Sequence, residues 1–460
     1  MTASAIALNR FGLGARPQEP PPPEPRRWLL DQFERYQSLP AAWSGQQRTD
    51  LLLAHYQDQR REVRNAADAD KQAARQMLRR GARDEYLGAV NARLASALDT
   101  PAPFIERLVH FWANHFAISV EKPAVLDLAG TYETEAIRPH VLGRFDELLL
   151  SAVRHPAMLI YLDQAQSMGP GSVAALRAAE RSPQRQRGLN ENLAREILEL
   201  HTLGARSGYT QSDVTEFARA LTGWTLAGEA GEQSRADVTG NGFQFRPALH
   251  EPGARTVLGR VYAEGGEAQG LAILHEVAAA PATARHLASK LARHFVADDP
   301  PPALVDRLTA TFQRSGGDLP TMYRALIESP ESWVAGAGKF KTPWDWALSS
   351  MRALGRRELE VAQGAQLLNQ LGQPVWRPGS PAGYDDVAAS WAAPEALMRR
   401  VESAQRFAAQ AANSIDPRAL APRLLPGDAL SEATATAIAR AESANTGLAL
   451  LLVSPDFLRR

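Results

Sequence analysis

Residues 190–224 read NENLAREILELHTLGARSGYTQSDVTEFARALTGW, and this stretch decides the fold class. From Asn190 to Leu203 the apolar residues recur at helical spacing, and Gly204 follows where a left-handed residue normally ends a helix. Thr210 then opens T-Q-S-D, a capping-box pattern with Asp213 at the third helical position, so a second helix should run to about Gly223. A helix pair with both ends marked by side-chain chemistry predicts a mainly α chain. The expectation is a multi-helix globular bundle with long loops and at most a short β-hairpin.

Toward the N-terminus, PQEPPPPEP (Pro17–Pro25) removes backbone donors and fixes φ, which predicts a stiff connector over 17–25. Residues 48–98 are nearly free of Gly and Pro and rich in helix formers, predicting a long exposed helical segment broken near Gly81. Pro103–Val120 is aromatic-rich at helical spacing and suits a buried helix. Helices are expected over Tyr132–Leu142 and Arg144–Arg154, the latter ended by His155-Pro156. Gln164–Leu189 reads as a mobile loop too polar to bury.

Toward the C-terminus, 225–259 should hold a loop or a short hairpin. Helices then follow from Gln269, over Thr283–Val296, Pro302–Ser315, Leu319–Ser329, Pro343–Leu354 and Val361–Leu371. Residues 372–393 form a Pro/Gly/Trp loop of the kind that often carries contacts. No period of 20 to 50 residues recurs, which disfavours a solenoid, and residues 1–460 read as one helical domain.

Lys plus Arg and Asp plus Glu each number 51, with no block of like charge, so a nucleic-acid footprint is not expected. The absence of cysteine excludes disulfides, thiolate nucleophiles and cysteine-ligated metals, leaving His, Asp and Glu as ligands. No basic region followed by an apolar run opens the sequence and no apolar run is long enough to span a membrane, so a cytoplasmic location is expected unless a leader has been removed. Nucleotide-binding glycine loops, G-x-S-x-G and H-E-x-x-H are all missing.

The densest titratable cluster lies on the first quoted helix. Taking Glu191 as zero, Arg195 falls near ~40°, Glu199 near ~80° and Glu196 near ~140°, one broad face opposite an apolar stripe at ~180° to ~240°. That face suits a general acid/base pair, an oxygen-rich metal site or a salt-bridge lattice. His201 falls near ~280°, too far from Glu199 to share a metal from a regular helix. His110 and Asn114 share one face of the aromatic helix and His115 another, each His being either a core group or a ligand. His250 beside Glu251 lies in a Gly/Pro loop, Asp163 ends an apolar run, and Lys341 in KTPWDW can face an anion.

These motifs, with LNRFGLGARP from Leu8, FWANHFAI from Phe111, HPAMLIYLD from His155, HEPGARTVLG from His250, HFVADDPP from His294 and GDL from Gly317, resemble the bacterial family called domain of unknown function 1800. The resemblance covers nearly the whole chain. It implies a mostly helical protein and carries over no activity. It also suggests a protein partner, since genes of such proteins often neighbour those of the domain of unknown function 1501 family. Many relatives resemble exported proteins, and this chain shows no leader, which leaves the shared compartment open.

The functional expectation is a hydrolase or transferase whose site forms where the Asn190–Leu203 helix meets the FWANHF helix and the His250 loop. Glu191 or Glu199 would serve as acid/base, Arg195 would hold an anion, and His115 or His250 would shuttle protons. A divalent metal on ligands drawn from His115, Glu196, Glu199, His201 and His250 is a further expectation. The alternative is a non-enzymatic partner or maturation factor for the 1501-family protein, using Trp224, Trp376 and Trp391 as contacts.

Overall fold

The Gly- and Pro-poor segment after Arg48 forms two helices, α1 (Thr49–Asn65) and α2 (Lys71–Asp99), in a computed structural model that describes residues 2–181, 188–228, 241–335, 338–360, 362–411 and 414–460. The break expected at Gly81 falls instead at Ala66–Asp70. Gly81 continues α2 with open space where a Cβ would be, and its helix penalty of about 1 kcal/mol is carried by the helix formers around it. The segment is exposed only in part, because Ala89, Val90, Leu94, Ala97 and Leu98 turn into the core.

Pro103 begins α3 (Pro103–His115), where a missing N–H costs nothing. Every residue of α3 except Asn114 is buried, as expected of a helix placed centrally. The expected helix over Tyr132–Leu142 is instead a π-helical turn, Tyr132–Ile137, and a 3₁₀ turn, Arg138–His140. Pro139 lacks the N–H that a regular helix needs there. Helix α4 (Phe145–Arg154) follows, and after His155 a short helix restarts at Pro156.

The stretch expected as a loop too polar to bury is largely ordered and partly buried. Gln164 is buried because its amide donates to the Leu221 carbonyl at 2.8 Å, and Ser167 Oγ accepts from Asn190 N at 3.0 Å. A helix follows at Val173–Arg181, and residues 182–187 of the expected loop lie outside the described residues.

Helix α5 (Asn192–Glu196) passes directly into a π-helical turn, Ile197–His201, that ends before Gly204 at φ +92°. Helix α6 (Gln211–Leu221) has the anticipated capping box, Thr210 and Asp213 each bonding the other's backbone N–H. Two antiparallel pairs then form among the described residues: β1 (Trp224–Leu226) with β2 (Phe243–Phe245), and β3 (Arg255–Val257) with β4 (Arg260–Tyr262). Leu258 and Gly259, both at positive φ, make the tight turn of the second pair. Residues 229–240 of the expected loop or hairpin lie outside the described residues.

Helices α7 (Glu267–Ala279), α8 (Pro281–Phe295), α9 (Pro302–Arg314) and α10 (Leu319–Glu328) pack in succession. They are followed by α11 (Pro343–Ala353), α12 (Gln363–Gln370), α13 (Pro394–Gln410) and α14 (Ala444–Leu452), the last two packed together. Val361, the expected start of α12, lies outside the described residues. One hydrophobic cluster extends from Ala5 to Leu458. Among the described residues no helix is long and apolar enough to cross a membrane.

Candidate active site

Helix α3 buries four ionisable side chains, and each has a designated partner. Glu106 meets Arg138, which also takes Glu133 at 3.2 Å, while Arg93 meets the other Glu133 oxygen at 2.8 Å. Burial alone would raise Glu106, but Arg138 and His110 pull it down to about 2. Arg107 donates to Asp345 at 2.8 Å and to the Gly12 carbonyl at 2.8 Å. His110 accepts from the Trp344 indole at 3.0 Å, and His115 donates to the His201 carbonyl at 3.1 Å.

A cavity of about 290 Å³ opens beside this helix, between α3, the end of α8, the start of α11 and residues 373–387. Phe111, Trp344, Trp376 and Tyr384 supply apolar walls, and the Arg93 guanidinium lies over the Trp344 and Trp376 rings at 4.6 and 5.2 Å. The covering loop is pinned by Asn114, the partly exposed residue of α3. Its amide donates to the Tyr384 carbonyl at 2.8 Å and its oxygen accepts from Tyr384 N at 2.7 Å. Gly383 (φ +82°) is needed for this approach, since a Cβ there would sit 2.3 Å from the Asn114 carbonyl oxygen.

That loop brings Asp386 to His294. His294 Nδ1 lies 2.6 Å from Asp386 Oδ2, while Nε2 has no partner among the described residues and His294 lines the cavity. Burial would raise Asp386, yet His294, Arg460 and Lys339 hold it below the ordinary carboxylate range. An ionised carboxylate at Nδ1 fixes the proton there and leaves Nε2 as a bare lone pair. Burial, opposed by Asp386, lowers the imidazole to about 4, so it is neutral near pH 7. Behind the pair, Arg460 reaches Asp386 at 3.4 Å and Asp345 at 3.1 Å, tying the dyad to Arg107.

Helix α8 carries a stripe, His286, Lys290 and His294, at intervals of four residues and therefore on one face. His286 donates to the Leu200 carbonyl at 3.1 Å, as His115 does to that of His201. Two imidazoles thus satisfy carbonyls that the π-helical turn leaves without helical partners. Lys290 lines the cavity with no hydrogen bond or ion pair among the described residues, and burial pulls it down to about 8.

The structure gathers only part of the expected site. Glu191 bonds Arg195 (3.2 Å), Gln211 (2.7 Å) and Thr215 (2.7 Å), forming a partly exposed lattice between α5 and α6. Glu199 accepts from Tyr209 at 3.1 Å, and burial beside Glu199 raises Glu196. His250 donates to the Thr222 carbonyl at 2.8 Å, and Glu251 takes the Gly171 N–H at 2.6 Å. Of Glu191, Arg195, Glu199, His115 and His250, only His115 lines the cavity.

The proposed metal ligands do not converge: among the described residues no three of His, Asp and Glu form a metal-binding group. His201, on the π-helical turn, approaches His115 with ring centroids 6.1 Å apart. Lys341 faces the Phe457 ring at 3.9 Å, in a buried position near Asp345. Asp163, at φ +59°, pairs with Lys122 at 2.7 Å. Trp224 and Trp376, expected as contact residues, are 0% and 5% exposed and serve the core and the cavity wall. Sequence reasoning did not single out His294, Asp386 or Lys290. The four-residue stripe in HLASKLARH (His286–His294) was the available signal for two of them.

The fold and this site define a mainly helical protein with a histidine–carboxylate pair set in a cationic, aromatic-walled cavity. A family profile described as protein of unknown function (DUF1800) matches residues 6–459, and the chain belongs to that family. No curated protein and no solved structure matches it.

Proposed function

We propose that the chain is a hydrolase or group-transfer enzyme acting on a small ester-like substrate in the cavity beside α3. The carrying observation is the His294–Asp386 contact of 2.6 Å, with Nε2 of His294 buried and unpartnered in a residue that lines the cavity. In this reading Nε2 takes the proton of a water or an acceptor hydroxyl as its oxygen bonds to the electrophilic carbon or phosphorus. Asp386 stabilises the imidazolium that forms, and the proton then passes to the leaving oxygen as the ester bond breaks. Asn114 and Arg460 act as positioning residues for Asp386.

The test is turnover of p-nitrophenyl acetate, p-nitrophenyl phosphate and mono-p-nitrophenyl glutarate by the protein and by His294→Gln. At least one ester should be cleaved, with the rate falling roughly 100-fold or more in the variant while thermal unfolding is unchanged. Equal rates in the two proteins, or no turnover of any of the three, would contradict the assignment.

A further inference from the structure

Four residues that line the cavity carry a polar atom without a partner among the described residues, and these atoms specify what should enter. Two are donors. The Lys290 ammonium has no hydrogen bond or ion pair among the described residues, and the Trp376 indole N–H is buried without an acceptor. Two are acceptors. His294 Nε2 and His115 Nδ1 are buried without partners, each ring having committed its other nitrogen to Asp386 or to the His201 carbonyl. A buried donor or acceptor without a partner is costly, so a ligand that satisfies the Trp376, His294 and His115 atoms gains from each, and the half-buried Lys290 adds its charge.

The other cations at the wall are already engaged: Arg107 with Asp345, Arg93 with Glu133 and Arg293 with the Asp298 carbonyl. Lys290 has no direct partner among the described residues, and Asp386 on the same wall acts on it only through space. Trp376 is also held at φ +49°, a conformation a bulky side chain rarely adopts, and its carbonyl is fixed by Val120 N at 2.9 Å. Strain of this kind collects where a side chain is positioned for a ligand. The volume, about 290 Å³, lies at the small end of the range for small-molecule sites.

We propose that the cavity binds a small hydroxylated oxyanion, a carboxylate or phosphate on a short hydroxyl-bearing skeleton. Its anionic oxygens meet Lys290 and the Trp376 N–H, and its hydroxyl meets His294 Nε2 or His115 Nδ1. This deepens the catalytic reading and rests on the same cavity being the site, but it concerns recognition, and binding reports it without turnover.

Calorimetric titration with glycerol 3-phosphate, glycerate and uncharged glycerol tests it on the full chain. At least one oxyanion should bind and glycerol should not, and the tighter of the two identifies phosphate or carboxylate as the preferred group. Lys290→Met should weaken the oxyanion roughly 10- to 100-fold, and Trp376→Phe, which keeps the aromatic wall but removes the N–H, several-fold. Because burial and the nearby Arg293, opposed by Asp386, lower Lys290 to about 8, binding at pH 8.5 should draw in a proton, seen as a buffer-dependent enthalpy in the wild type and absent in Lys290→Met. The proposal is overturned if neither oxyanion binds, if glycerol binds equally well, or if Lys290→Met binds as the wild type does. Ester turnover that survives such a result would leave His294 as the base and remove only the substrate class.

Discussion

His294 Nδ1 sits 2.6 Å from Asp386 Oδ2, joining the last turn of α8 to a loop more than ninety residues further on in the sequence. The contact orients the imidazole and fixes its tautomer, so the unpartnered Nε2 is the basic nitrogen. The expected consequences can be measured one at a time.

The pH dependence should have two limbs of different origin. His294 works as a neutral base and is lowered to about 4, so turnover should fall as pH drops through that value. Lys290 loses its charge as pH rises through about 8, so KM for an anionic ester should increase there while a neutral ester is unaffected. Rates measured from pH 3.5 to 9.5 check both limbs, and Lys290→Met should abolish the alkaline one.

Asn114 should govern the loop that delivers Asp386. Its side chain makes both hydrogen bonds to the Tyr384 backbone, at 2.8 and 2.7 Å. Asn114→Ala should lower turnover about 10-fold or more through loss of positioning, with a stability cost of about 1–3 kcal/mol. Hydrogen exchange over 378–387 should rise in the variant, and unchanged protection there would remove Asn114 as the pin.

Burial of the ion network beneath the site makes it sensitive to removal of a single partner. Arg138 is fully buried between Glu106 and Glu133, so Arg138→Met should cost about 3–5 kcal/mol in urea unfolding by leaving Glu106 with only His110 and Glu133 with only Arg93 as ionisable partners among the described residues. Glu106 is depressed to about 2, and a depressed acid contributes stability above its unfolded value that is lost as pH falls. That contribution should therefore disappear between about pH 4.5 and 2. A wild-type protein equally stable at pH 2.5 and 6 would contradict it.

His286 should separate structure from chemistry. It satisfies the Leu200 carbonyl at 3.1 Å and lies on the same helical face as His294. His286→Ala should destabilise the fold by about 1–3 kcal/mol and leave the rate constant within about 3-fold, since a merely stabilising group adds nothing to proton transfer. Circular dichroism during urea unfolding and ester turnover on the same preparation distinguish the two effects.

Local signals made much of the fold legible before the structure. Thr210, Asp213 and Gly204 mark helix ends through chemistry within a few residues, and α5 and α6 end where those residues indicate. The break between α1 and α2 was misplaced because Gly81 faces solvent and is tolerated, whereas Ala66–Asp70 carries no strong breaker. Gln164 and Ser167 looked too polar to bury because their acceptor and donor, Leu221 and Asn190, lie outside the local window. The same limit hid the site. Asp386 is one of several loop acids until the fold sets it against His294, and Glu191 looked functional because a surface lattice and a catalytic pair share one helical pattern.

Asp386→Asn changes the fewest atoms while removing the feature on which the catalytic reading depends. The measurement is the rate of ester cleavage at pH 7 by this variant beside the wild type and His294→Gln, using whichever ester the wild type turns over. Both variants should fall by about 10²- to 10⁴-fold, measured below the unfolding transition of each, since Asp386→Asn also removes the charge that Arg460 and Lys339 meet. An Asp386→Asn protein that keeps the wild-type rate would contradict the assignment of His294 as the catalytic base.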